Sequence, residues 1–259
     1  MNNIDLEEKT YTTTRRGFPV FSLGMIVVGA VMLIGGAVFY KTSDRSKYTN
    51  VNTISVSEEI DLGKTRSVDI KASAGKLEIR RSNDDKVHLE GNVPKDYVLK
   101  ESGGILRVGL ERDFYISFDF MQLGAVIDAV LYLPDTEYNN IKLDAGAGEI
   151  TVSEVKCDTA SLDTGTGELN ISDIECKGLL DADIGTGELD ISNAKTGGLK
   201  VDLGTGDFTF NGEVNGDINV DCGVGDCNIN LTNDKDEFNK KYSIKTDTGI
   251  GDVKVTFNN

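Results

Sequence analysis

Acidic residues recur in this chain at a spacing that could hold a cation. Asp144, Asp163, Asp183, Asp202 and Asp221 are separated by 19 or 20 residues, and Glu149, Glu168, Glu188, Asp207 and Asp226 follow them five residues later. Repeated oxygen-only donors suit Ca²⁺, a hard cation that takes carboxylate ligands. The same positions suit plain turn chemistry, because an Asp beside glycines accepts backbone N–H bonds. Like charges on neighbouring strands, about 5 Å apart, would repel by roughly 1 kcal/mol in water. Either role must offset that repulsion, and the sequence leaves both open.

The cysteines are the second candidate. Cys157 and Cys176 are 19 residues apart and hold the same place in successive repeats. Neighbouring parallel strands lie about 4.8 Å apart, within the Cα range of a cystine, so this pair is the disulfide candidate. Free thiols are the alternative. Cys227 stands where other repeats have Leu or Phe and reads as a core residue, while Cys222 offers it a local bridge across a turn. The four do not form paired C-x-x-C motifs, which argues against zinc. His88 is the one histidine and lies in an alternating segment, KVHLE. No nucleophile elbow, P-loop or H-E-x-x-H occurs. The expectation is a non-enzyme with no catalytic residue and no cofactor apart from the Ca²⁺ just raised.

Charge narrows the partners. The chain has 259 residues and a formal net charge of −16. Residues 51–259 carry 21 basic against 39 acidic residues. A surface that acidic repels phosphate backbones, which excludes nucleic acid as a partner. Tryptophan is absent, which weakens sugar stacking.

The elements that must position these residues follow from self-similarity. LDAGAGEITV (143–152), LDTGTGELNI (162–171), ADIGTGELDI (182–191), VDLGTGDFTF (201–210), VDCGVGDCNI (220–229) and TDTGIGDVKV (246–255) share one pattern. In each, two short segments of period-two alternation flank a G-x-G, which reads as two half-buried strands joined at a glycine turn. A unit of 19 or 20 residues cannot close a core alone but can stack on its copies. The predicted fold is all-β, a β-solenoid of 19–20-residue coils over 141–259. An irregular β region, 59–140, caps one end. Its period breaks at Arg112–Gln122, where aromatic and polar residues alternate.

The N-terminal part reads differently. Phe18–Tyr40 is a 23-residue run without charge, long enough for one transmembrane helix. It leaves a cytoplasmic tail at 1–17 and a polar stalk at 41–58. Basic residues near the run tie at three on each side, and the adjacent Arg15–Arg16 pair favours an inward N-terminus. The expectation is a single-pass protein of the bacterial cell membrane with an extracytoplasmic C-terminal domain and the lipid bilayer as partner at 18–40.

The apolar run, SAGKLEIRRSNDDKVHLEG (73–91), VLYLPDTEYNNIKLDAGAGEI (130–150) and the serial D-x-G-x-G-[ED] turns carry a resemblance. Residues 51–259 resemble the bacterial adhesin-like β-strand-repeat family, a domain of unknown function related to the head-GIN autotransporter-adhesin repeats. That resemblance implies a β-solenoid, often tethered to a membrane and sometimes associated with envelope stress. The expected function is a membrane-anchored, non-enzymatic surface adhesion module whose partner is a surface protein or glycan. The alternative is a cell-envelope accessory or stress-sensing protein acting through a membrane or wall partner.

Overall fold

Period-two alternation makes the described chain almost wholly β. The computed structural model describes residues 53–111 and 126–258. At one end, β1 (Thr53–Asp61), β3 (Lys86–Pro94) and β6 (Val126–Leu133) pair antiparallel in that order. β4 (Val98–Ser102) and β5 (Ile105–Leu110) form a hairpin. β2 (Ser67–Arg81) is the junction: its first half takes β5 in parallel and its second half takes β6.

From β2 onward the stacking is parallel. β7 (Glu137–Ser153), β8 (Lys156–Ser172) and β9 (Glu175–Val214) follow one another. β10 (Ile218–Val224) and β11 (Cys227–Leu231) lie on β9, and β12 (Ile244–Ile250) and β13 (Val253–Phe257) lie on them in turn. The 40-residue β9 holds two units, because Gly204 and Gly206 abut the carbonyls of Gly185 and Gly187. Register is direct: Ile150, Leu169 and Leu189 are successive partners, as are Phe208, Cys227 and Val253.

Each unit bends at its G-x-G into two legs that share one core. Leu162, Ala182, Val201 and Val220 come from the first leg; Ile171, Ile191, Phe210 and Ile229 come from the second, and all are buried. Burying a Leu, Ile or Phe side chain contributes about 1.5–3 kcal/mol. Units join at a tight corner where Glu154, Asp173 and Asn193 take φ of 56°, 54° and 49°. Asp and Asn tolerate this left-handed region better than most residues.

The one helix among the described residues, α1 (Lys235–Lys241), fills the longer gap before the last unit. Asp234 caps it by accepting a 2.9 Å bond from the Glu237 amide. Its buried Phe238 packs edge-on against Tyr242 and Phe257.

Several expectations need correction. A β-solenoid of 19–20-residue coils led by a transmembrane helix is not what the structure contains. The described chain is a single 13-stranded mixed sheet with an open strand order from β1 to β12, and its first part pairs antiparallel. The parallel stack begins at β2, so residues 59–140 do more than cap it. Residues 53–58, expected as stalk, belong to β1 and pair with β3. The tail at 1–17, the run at 18–40, the rest of the stalk and the segment 112–122 lie outside the described residues. Among the described residues no helix is long and apolar enough to cross a membrane, and α1 has only seven residues. The single-pass topology, the bilayer contact and the membrane localisation therefore find no support among the described residues. The part of the chain with a described shape is the β domain alone.

Candidate functional site

The glycines set the geometry that the acidic residues inherit. The second glycine of each turn carries the positive φ, from 130° at Gly148 to 148° at Gly187. The first glycine lets backbones touch: a Cβ at Gly165 would stand 2.6 Å from the Gly146 carbonyl oxygen. The positive φ recurs through Gly251 and the close approach from Gly146 through Gly223, so the flanking carboxylates fall into columns.

The first column is Asp144, Asp163 and Asp183, continued by Asp202, Asp221 and Asp247. Partial loss of water and the carboxylates of Asp183 and Asp144 push the Asp163 pKa up. Asp221 is raised in the same way, by desolvation and by Asp202 and Asp247. Lys71 is the register partner of Asp144 at the β2 end.

The second column is Glu149, Glu168 and Glu188, then Asp207, Asp226 and Asp252. Lys76 closes its β2 end with a 3.1 Å ion pair to Glu149. Further along, the column is turn chemistry. Asp207 Oδ1 accepts the Asp226 amide at 3.0 Å, and Asp226 Oδ1 accepts the Asp252 amide at 3.1 Å. The structure brings each predicted column into register. Among the described residues, however, no group of three or more His, Cys, Asp or Glu side chains is placed to hold a metal ion.

The cystine does not join the candidate pair, whose alternative reading is free thiols. Cys157 and Cys176 are register partners and both are buried, yet both are free thiols. The hydrogen bond to Cys176 and burial hold the Cys157 pKa well above that of an ordinary thiol. The disulfide joins Cys222 to Cys227. Cys222 holds the position taken by Ala145, Thr164, Ile184 and Leu203, all buried, so it points inward beside the turn. Cys227 does the same on the opposite leg, and the bridge ties the two legs of one unit together.

His88 is exposed enough to meet Asp84 at 2.8 Å. That contact, the Lys86 amide and the Ser82 hydroxyl lower the Asp84 pKa to about 2. The arrangement is a surface turn lock beside β3.

The feature that the sequence did not announce is a groove along the corner between units, about 530 Å³ in volume. Ile174, Ala194 and Gly212 form its small, mostly apolar floor, and Asp173, Asn193, Lys195, Asn211, Glu213 and Asn230 stand along it. Its polar groups are tied to one another. The Asn193 amide donates to Asp173 Oδ1, Asn230 donates to Asn211 Oδ1 at 2.9 Å, and Lys195 lies 3.5 Å from Glu213. The signal in the sequence was the polar corner, Ser153, Ser172, Ser192 and Asn211 in register, followed by the residues that turn the chain.

Known structures of similar outline exist. A protein provisionally named for cell adhesion, from Clostridium sporogenes ATCC 15579, aligns with a TM-score of 0.42 and 10% identity over 79% of this chain and 100% of its own. A provisionally named adhesin from Bacteroides fragilis NCTC 9343 gives 0.37 and 9% over 78% and 97%. A provisionally named lipid-binding protein from Parabacteroides distasonis ATCC 8503 gives 0.34 and 12% over 79% and 98%. Likeness of this degree says nothing about what the present chain binds. No curated protein matches the chain. The family model described as Toastrack DUF4097, by contrast, matches residues 37–259, most of the sequence and every described strand. The chain belongs to the Toastrack DUF4097 family.

Proposed function

We propose that this chain is a non-enzymatic, adhesin-like interaction module that holds a polar partner, a protein surface or a glycan, along the corner groove. One observation carries the reading: stacking in register turns one corner sequence into a repeated line of amides and carboxylates over a shallow floor. Such groups donate and accept hydrogen bonds in directions fixed by the sheet, so little ordering entropy is lost on binding. Lys195 offers the groove a cation among acids, which suits a partner carrying both hydroxyl and carboxylate groups.

The test compares the wild-type chain with a variant carrying Asn193→Gly, which keeps the left-handed corner, together with Lys195→Ala and Glu213→Ala. Each is applied to an immobilised glycan panel and to a panel of purified surface proteins. Saturable binding that the triple variant loses, at unchanged melting midpoint, is the expected result. Binding indifferent to the three substitutions would overturn the groove assignment. Turnover of any glycan on the panel would overturn the non-enzymatic reading.

A further inference from the structure

Among the described residues the parallel stack ends at β12 and β13. Among the described residues β12 pairs only with β10 and β13 only with β11, so each turns one backbone edge outward. One unit earlier, Ile218, Val220, Cys227, Ile229 and Leu231 are at most 1% exposed. Their register partners Ile244, Thr246, Val253, Val255 and Phe257 are only partly buried. Ile250, at the last turn, is 55% exposed. Open edges with an apolar flank are templates for further pairing.

Charge sets this unit apart. The unit beneath it carries Asp221 and Asp226 and no basic residue, whereas the last unit carries Lys245 and Lys254 beside Asp247 and Asp252. In a chain of net charge −16, this locally neutral edge is where a second copy can approach without repulsion.

We infer that β12 and β13 form the interface of a closed dimer with a second copy of this chain, edge to edge and antiparallel. A dyad through Thr246 and Val255 places Lys245 opposite the partner's Asp247 and Val253 opposite the partner's Phe257. Every pair in that register joins residues of the same parity, so core side chains stay on the core side. A dyad through Asp247 would set that carboxylate against its own copy. The far end of the sheet offers no equal match, since it ends in the separate strands β1 and β4, and β1 carries Glu58, Glu59 and Asp61. A head-to-tail contact there would also build an open filament instead of closing.

Sedimentation of the full chain over a concentration series tests this. The expected mass is twice the 28.0 kDa of one chain. Val255→Cys should give a covalent dimer on a non-reducing gel, because directly opposed residues lie within cystine reach. Lys245→Asp should raise the dimer dissociation constant about tenfold through two like-charge contacts, and Lys245→Asp with Asp247→Lys should restore it. A monomer at every concentration overturns the proposal and leaves the edge to the chain's own remaining segments. Masses growing beyond the dimer, or a dimer that ignores both charge variants, overturn it as well.

Discussion

Asp163 and Asp183 stand directly opposite each other on neighbouring parallel strands, with Asp144 on the other side of Asp163. The sheet holds these carboxylates together although they repel, and partial loss of water, with that repulsion added to it, raises the pKa of Asp163. A carboxyl whose folded pKa lies above its unfolded value destabilises the fold when ionised, so this contribution improves as pH falls into the carboxylate range. Asp163→Asn should therefore raise the melting midpoint at pH 7 by about 1–4 °C. The gain should vanish below the carboxylate range, in scans at stepped pH. Asp217 works in the opposite sense. Its pKa is lowered by the backbone and side-chain hydrogen bonds from Ser243, so its stabilisation is present at neutral pH and lost on acidification.

A methyl group at the turn should be far more damaging. Gly187 has φ of 148°, and a Cβ there would overlap the Gly167 carbonyl. Gly187→Ala should cost about 3 kcal/mol or more by denaturant titration. Gly63→Ala is the control: its φ is also positive, at 59°, but nothing lies within 4 Å of the added atom. It should cost about 1 kcal/mol.

The cystine gives a third expectation. Mass spectrometry of unreduced protein should show two thiols that alkylate only after unfolding, Cys157 and Cys176, and two cysteines that require reduction. Closing the short loop from Cys222 to Cys227 should contribute about 2 kcal/mol, read as the loss of stability in a Cys222→Ala, Cys227→Ala variant. A bridge found at 157–176 instead would overturn the assignment.

Helix α1 matters through one side chain. Phe238→Ala removes the ring that meets Tyr242 and Phe257, and should cost about 3–5 kcal/mol by chemical denaturation. Amide exchange should quicken first in β13, which holds Phe257.

What could be read from the sequence divides along physical lines. Leu169, Leu189 and Phe208 announce their burial because period-two alternation around a glycine pair has one structural meaning. The carboxylate columns follow once register is granted. β1 was hidden because TISVSEEID is half polar, and its partner, β3, lies more than twenty residues away. Helix α1 has a signal in the sequence: Asp234 with Glu237 three residues on, and Phe238 four before Tyr242. The Cys222–Cys227 bridge could be raised from the sequence but not chosen, because Cys222 occupies a variable position, and only the fold reveals that this position faces inward. The groove is a property of the corner, whose shape depends on φ values at Glu154, Asp173 and Asn193 that composition does not encode.

The direct register of β8 on β9 has a last implication, for length. Thr166, Gly167 and Glu168 meet Thr186, Gly187 and Glu188, nearly the same surface above as below. Excising 173–192 as a block would bring like against like and shorten the assembly by one step of about 4.8 Å. Duplicating the block would lengthen it by the same step. Lineages carrying this architecture can thus adjust reach in whole increments while the chemistry they display stays constant, much as a ladder is cut or extended between its bars.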